Sequence, residues 1–115
     1  MIVTGEYNHS APPALMNLLD HFLEEYYWRP SAIVCYSVGM FGGVRAAMQL
    51  RAGLCELGMP SIPSLFPIPV IQSAFSEDGT PADADGVRRR FVRFASELEW
   101  YASALQKARE SGVPY

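Results

Sequence analysis

The chain has 115 residues, enough for one compact domain and not two. Half of them are apolar and 18% are charged, which favours a packed core over a disordered chain. The net charge of −3 leaves no broad basic surface for a nucleic-acid backbone, and no apolar run reaches the roughly 18 residues of a membrane span. The N-terminal residues lack the charged and apolar regions of a secretory signal, so a cytoplasmic protein is expected, with no nucleic-acid and no membrane partner.

Residues 2–4 read as a short buried strand, followed by the turn-forming stretch GEYNHS. Ser10 is the expected N-cap of the next segment, and Pro12 and Pro13 suit a first helical turn, where a missing N–H costs nothing. Leu15, Leu18, Leu19, Phe22, Leu23 and Tyr26 recur at helical spacing on one face, which predicts a helix that ends before Pro30. Residues 32–36, AIVCY, form a continuous apolar run, the pattern of a strand buried on both faces of a parallel sheet. A glycine-rich loop, SVGMFGG, leads into a second helix over 44–57, with Ala47, Leu50, Leu54 and Leu57 inward and Gly58 just past its end. A proline-rich stretch should hold one strand around 61–66 and then irregular backbone. After the polar loop EDGTPADADG, Asp83 or Asp85 caps a last helix over about 86–111, with Val87, Phe91, Phe94, Leu98, Tyr101 and Leu105 on its apolar side.

This alternation of strand and helix implies right-handed βαβ units and a parallel sheet. Three strands make a small sheet, and a first strand with nothing before it leaves an edge without a partner. The chain is therefore expected to be incomplete as a domain or to complete itself with another chain. Cys35 and Cys55 sit in apolar surroundings and are expected as two free, buried thiols. The Cys and His spacings fit no metal site.

Ligands of parallel α/β sheets sit outside the carboxyl ends of the strands. Both loops, 5–10 and 37–43, lie at such ends on adjacent strands and should line one crevice. In the second loop, Gly39, Gly42 and Gly43 permit positive φ and close approach of a ligand to the backbone. The spacing is neither the phosphate-binding Gly-Lys-Ser/Thr loop nor the dinucleotide fingerprint. In the first loop, Asn8 can donate and accept hydrogen bonds and Tyr7 offers a flat face, which suits a planar heterocycle with a polar edge. Each loop also has a plainer reading: a tight turn, with Asn8 stabilising its own backbone.

Two segments, IVTGEYNHSAPPALMNLLDHF and PSAIVCYSVGMFGGVRAAMQLRAGLCELG, resemble the NADPH-dependent FMN reductase family. That family includes flavin, quinone, azo-dye and chromate reductases of flavodoxin-like fold. Its T-P-E-Y-N-x-S loop reads here as Thr4-Gly5-Glu6-Tyr7-Asn8-His9-Ser10. Its S-x-G-x-x-G-G-x-R-A loop reads as Ser37-Val38-Gly39-Met40-Phe41-Gly42-Gly43-Val44-Arg45-Ala46. The tail, with AFSEDGTPAD and the long final helix, is similar too.

The resemblance implies an α/β, flavodoxin-like parallel sheet with flanking helices, truncated to its last three βα units. It implies FMN as cofactor, NADPH or NADH as reductant and a small-molecule acceptor, in a homodimer or homotetramer. Gly5, Glu6, Tyr7, Asn8, Ser37, Val38, Gly39, Met40, Gly42 and Gly43 would hold the flavin ring, largely through backbone N–H groups. No catalytic side chain is implied, because the cofactor carries the hydride chemistry. Gly5 replaces the family's proline and makes the first loop less rigid. The family's first half, with its Ser/Arg-rich phosphate loop, has no counterpart here. Charge-assisted hydrogen bonds contribute roughly 1.5–3 kcal/mol each, so losing about three removes around 3–6 decades of affinity. Weak FMN binding by this chain alone is expected. The alternatives are a cofactor-free remnant or half-domain that needs a separate chain, and a flavodoxin-type electron carrier.

Four further features stand outside those loops. Arg88, Arg89, Arg90 and Arg93 read as a solvated helix face or subunit contact, or as an attractor of nucleotide phosphates. Arg45 reads as a surface residue or as a contact to a partner subunit or the flavin, and His9 as a solvated loop histidine or as one that shapes acceptor access. Trp100 and Tyr101, being adjacent, cannot both face the core. Met40 and Phe41 should be exposed and cover the flavin or an interface.

Overall fold

The computed structural model describes residues 1–115. Three strands, β1 (Ile2–Gly5), β2 (Ser31–Tyr36) and β3 (Ser61–Ile68), form a parallel sheet in the order β1-β2-β3. Helix α1 (Pro13–Leu19) connects the first pair and α2 (Val44–Glu56) the second. A single helical turn, α3 (Ile71–Ala74), and a long helix, α4 (Ala84–Glu110), complete the chain.

Strand β2 explains the layering. Its side chains alternate across the sheet. Ile33 and Cys35 join Leu19, Ala47, Leu50, Leu54 and Met59 in a core under α1 and α2. Ala32 and Val34 join Ile62, Phe66 and Phe94 in a second core under α4. Both faces of β2 are thus dry, which is why the AIVCY run contains no polar residue. The apolar stripe expected on α4 is present, but the helix covers β2 and β3 and not β1. Val3, in register with Val34, is left 61% exposed.

The two sheet edges differ. On β3, Pro63 and Pro67 lack N–H groups, and side chains occupy other backbone sites. Ser64 donates its N–H to Glu97, Arg90 donates to the Pro67 carbonyl, and Arg51 donates to the carbonyls of Ile62 and Pro63. Prolines and charged side chains blunt an edge in this way. The β2–β3 register also shifts between Ser31 and Ile33, beside Pro63. On β1 no such device is present. Its free edge is bare, as the sequence implied.

Several expectations need correction. The first helix does not run to Tyr26; it stops at Leu19, and a 3₁₀ turn (Glu24–Tyr26) follows. Trp28, at φ 63°, donates its N–H to the Gly58 carbonyl and steers the chain back towards β2, which a longer helix would overshoot. Without sheet to cover them, Leu18, Phe22 and Leu23 stay about half exposed. Ser10 does not cap the helix, because two backbone bonds tie it to Tyr7; Pro12 holds the N-cap position and Pro13 the first turn. The chain after β3 is not wholly irregular, since it includes α3. Cys35 is buried but Cys55 is exposed, because it lies off the Ala47, Leu50, Leu54 stripe of α2. Of the two capping candidates for α4, Asp83 accepts the Gly86 N–H at 2.9 Å.

Candidate functional site

The parallel pairing Gly5↔Tyr36 brings the ends of β1 and β2 side by side. The two loops that follow therefore face one another across a shallow crevice of about 370 Å³. Glu6, Asn8, His9, Ser37, Val38, Gly39, Phe41 and Arg45 line it.

The first loop is a tight turn. Tyr7 and Ser10 exchange two backbone hydrogen bonds of 2.9 Å, and the residues between them, Asn8 and His9, take φ 50° and 63°. Two successive positive φ values are those of a type I′ turn, which favours Asn at the first position and glycine at the second. His9 occupies the glycine position at a conformational cost of about 1 kcal/mol.

Glu6 joins the loops. Its side chain is only 7% exposed, and Oε1 meets the Arg45 guanidinium at 3.5 Å. Oε2 accepts the backbone N–H groups of Arg45 at 3.1 Å and Ala46 at 3.3 Å. A carboxylate from one loop thus caps the helix that the other loop opens, satisfying amides that would otherwise lack partners. Arg45 also lies 4.4 Å over the Phe41 ring. The buried Cys35 thiol sits nearby; burial first, and the Glu6 charge second, push it up to about 11.

The three loop glycines have different tasks. Gly42 and Gly43 are buried at φ 61° and 83°. A Cβ on Gly43 would lie 2.8 Å from the Tyr36 backbone, and one on Gly42 would lie 3.0 Å from Pro67 and Pro69. Both glycines let the loop pack on the strand ends. Gly39 is exposed, with nothing within 4 Å of where its Cβ would stand. It is the glycine at which a ligand can approach the backbone. Gly5 is buried against the Tyr36 ring, 3.0 Å from its own Cβ position.

A third segment, absent from any motif, holds the second loop in shape. Ser37 donates its N–H to Ile68, while the Ser37 and Gly39 carbonyls accept from Ile71 and Val70. Val70 does this at φ 46°, a strained value for a β-branched residue.

Of the residues that the sequence placed at the site, Glu6, Asn8, Ser37, Val38 and Gly39 line the crevice. Tyr7 and Met40 are exposed beside the loops, and Gly5, Gly42 and Gly43 lie beneath them. His9, Phe41 and Arg45 join the lining although the ring-binding set omits them; the signal was the place of His9 and Phe41 inside the two loops and of Arg45 in the first turn of α2. Among the arginines of α4, Arg90 is spent on the Pro67 carbonyl and the Phe66 ring, and none lines the crevice. Trp100 is 68% exposed, whereas Tyr101 packs on the second core.

The backbone amides of Asn8, His9, Val38, Gly39, Met40 and Phe41 donate to no acceptor in the chain. Five of these six residues, all but Met40, line the crevice, and unspent donors on both loops suit a flat ligand with several acceptor atoms along its edge. The exposed rings of Tyr7 and Phe41 add apolar faces.

Residues 1–72 match the sequence model of the NADPH-dependent FMN reductase family. No curated protein matches the chain. Among solved structures, the flavoenzyme NAD(P)H:(acceptor) oxidoreductase FerB of Paracoccus denitrificans superposes with a TM-score of 0.68 at 23% identity. The match covers 86% of this chain and 58% of that one, and it bears out the flavodoxin-like α/β fold.

Proposed function

Because the chain belongs to the NADPH-dependent FMN reductase family, we propose that the crevice holds the isoalloxazine ring of FMN and that the protein is an NAD(P)H-dependent oxidoreductase of the flavin or quinone reductase type. The observation that carries this reading is the set of six unspent amides on two loops at adjacent strand ends. Bound there, the flavin would supply hydride transfer between NAD(P)H and a small-molecule acceptor, chemistry that needs no protein nucleophile. The chain's own contribution is placement. The amides orient the ring edge, and their dipoles favour negative charge gathered at that edge. Gly39 allows the backbone to come close, while the Glu6–Arg45 latch and the 67–71 segment keep both loops in one shape. Gly5, Gly42 and Gly43 act beneath the ring as packing residues.

The bare β1 edge and exposed Val3 favour a second reading, in which this crevice works only after another polypeptide segment adds to the sheet. One assay decides between them. NADPH and NADH oxidation is followed with the purified 115-residue chain, saturating FMN and a soluble quinone. Flavin-dependent oxidation above the flavin-only blank supports the first reading. Flavin binding without oxidation indicates an electron carrier. Absence of both leaves the chain as a half-site.

A further inference from the structure

We propose that the cleft between β3 and α4 is a second binding site, separate from the crevice, which takes a small organic carboxylate with a flat apolar body. The proposal does not depend on the flavin reading.

The first observation is an imbalance of charge. Arg88, Arg89, Arg90 and Arg93 crowd one short stretch of α4. The chain has 12 acidic residues and a net charge of −3, yet its one ion pair joins Glu6 to Arg45. Arg90 and Arg93, three apart on a helix, are neighbours, and like charges at that spacing destabilise it. A carboxylate four residues on would relieve Arg93, and Glu97 holds that position. Glu97 is turned to the sheet instead, where it accepts the Ser64 N–H at 3.4 Å and the Ser64 hydroxyl. Arg93 is left without an ion-pair partner.

The second observation is the cleft that these two arginines share. Arg90 donates to the Pro67 carbonyl at 3.2 Å and lies 5.1 Å over the Phe66 ring. Those contacts hold its guanidinium in place and engage only one of its three nitrogens. Phe66 and Phe94, both buried, line the cleft with Leu65 and Pro67. Its volume is about 180 Å³, below the roughly 300 Å³ at which sites for drug-sized ligands begin. A nucleotide is too large for it, and a single ring is not. Guanidinium groups recognise a planar carboxylate through paired hydrogen bonds. The aromatic lining suits the ring that bears it. The Glu97 charge, one turn further along α4, opposes a dianion more than a monoanion, which favours a carboxylate over a phosphate.

The test is titration of the 115-residue chain with benzoate at low ionic strength, read by calorimetry and by amide chemical shifts. The expected result is saturable binding of one benzoate per chain, with a dissociation constant of about 1 mM or tighter. The amides of Leu65, Phe66 and Phe94 should shift, and that of Gly39 in the crevice should not. Benzamide, the same ring without the charge, should bind at least about tenfold more weakly. Arg93→Gln should weaken benzoate at least about fivefold without moving the unfolding midpoint, because Arg93 has no ion-pair partner to lose. Arg88→Gln, on the other side of the helix from Arg90, should change the affinity less than about twofold. Absence of saturable binding overturns the proposal. So do shifts centred on the crevice, benzamide or inorganic phosphate binding as tightly as benzoate, or equal losses in the two variants.

Discussion

Replacing Glu6 with alanine removes the group that ties the first crevice loop to the start of α2. The carboxylate accepts two helix amides at 3.1 and 3.3 Å and meets Arg45 at 3.5 Å. Losing a side-chain cap costs about 1–2 kcal/mol. The charge at the helix start adds ~0.5 kcal/mol. The Arg45 side chain is 41% exposed, so solvent screening reduces the ion pair to about 0.5 kcal/mol. The terms overlap, and a loss of about 2 kcal/mol is expected. Glu6→Gln keeps an oxygen acceptor for the amides and loses only the charge, so it should cost about 1 kcal/mol. Urea unfolding at neutral pH measures both. The midpoint should fall in the order wild type, Gln, Ala, with an unchanged slope. An alanine variant within about 0.5 kcal/mol of wild type would refute the latch and free the α2 terminus for an external anion.

The loop glycines predict an asymmetry: Gly43→Ala, driven into the Tyr36 backbone at φ 83°, should lose more than ~2 kcal/mol, and Gly39→Ala less than ~0.5 kcal/mol, by thermal unfolding. A disulfide reagent at pH 8 should modify one thiol per native chain, the exposed Cys55, and two in denaturant. The Cys35 thiol, raised to about 11 in the folded state, further links stability to alkaline pH. Its contribution is complete below the unfolded thiol's ordinary range and is lost as pH rises from there through about 11. Cys35→Ser should flatten that alkaline loss in a pH series of unfolding midpoints.

The sequence by itself determined the layering and the place of the crevice. A run such as AIVCY, apolar at every position, has to lie between two covering layers, and helices came before and after it to provide them. Parallel strands joined by helices put the loops after β1 and β2 at one end, so two segments more than twenty residues apart were legible as one site. Gly58, at φ 83° after α2, was legible from its place just past a helix end, although the Tyr27 ring also stands 2.7 Å from where its Cβ would lie.

What only the tertiary structure decided are the partners. Glu6 finds its amides 39 and 40 positions away, and no spacing rule connects them. Glycines with the same sequence signature divide into packing and approach positions, because the Tyr36 backbone and the 67–69 segment stand against two of them and nothing stands against Gly39. The first helix ended early for a similar reason. Its apolar period is a local property, but burial depends on how wide a sheet lies beneath it, and three strands cover only part of the stripe. Local patterns fix which residues want to be buried or turned. The contacts that spend a charge, block a Cβ or leave an amide free arise between segments, so they appear only once the chain has folded.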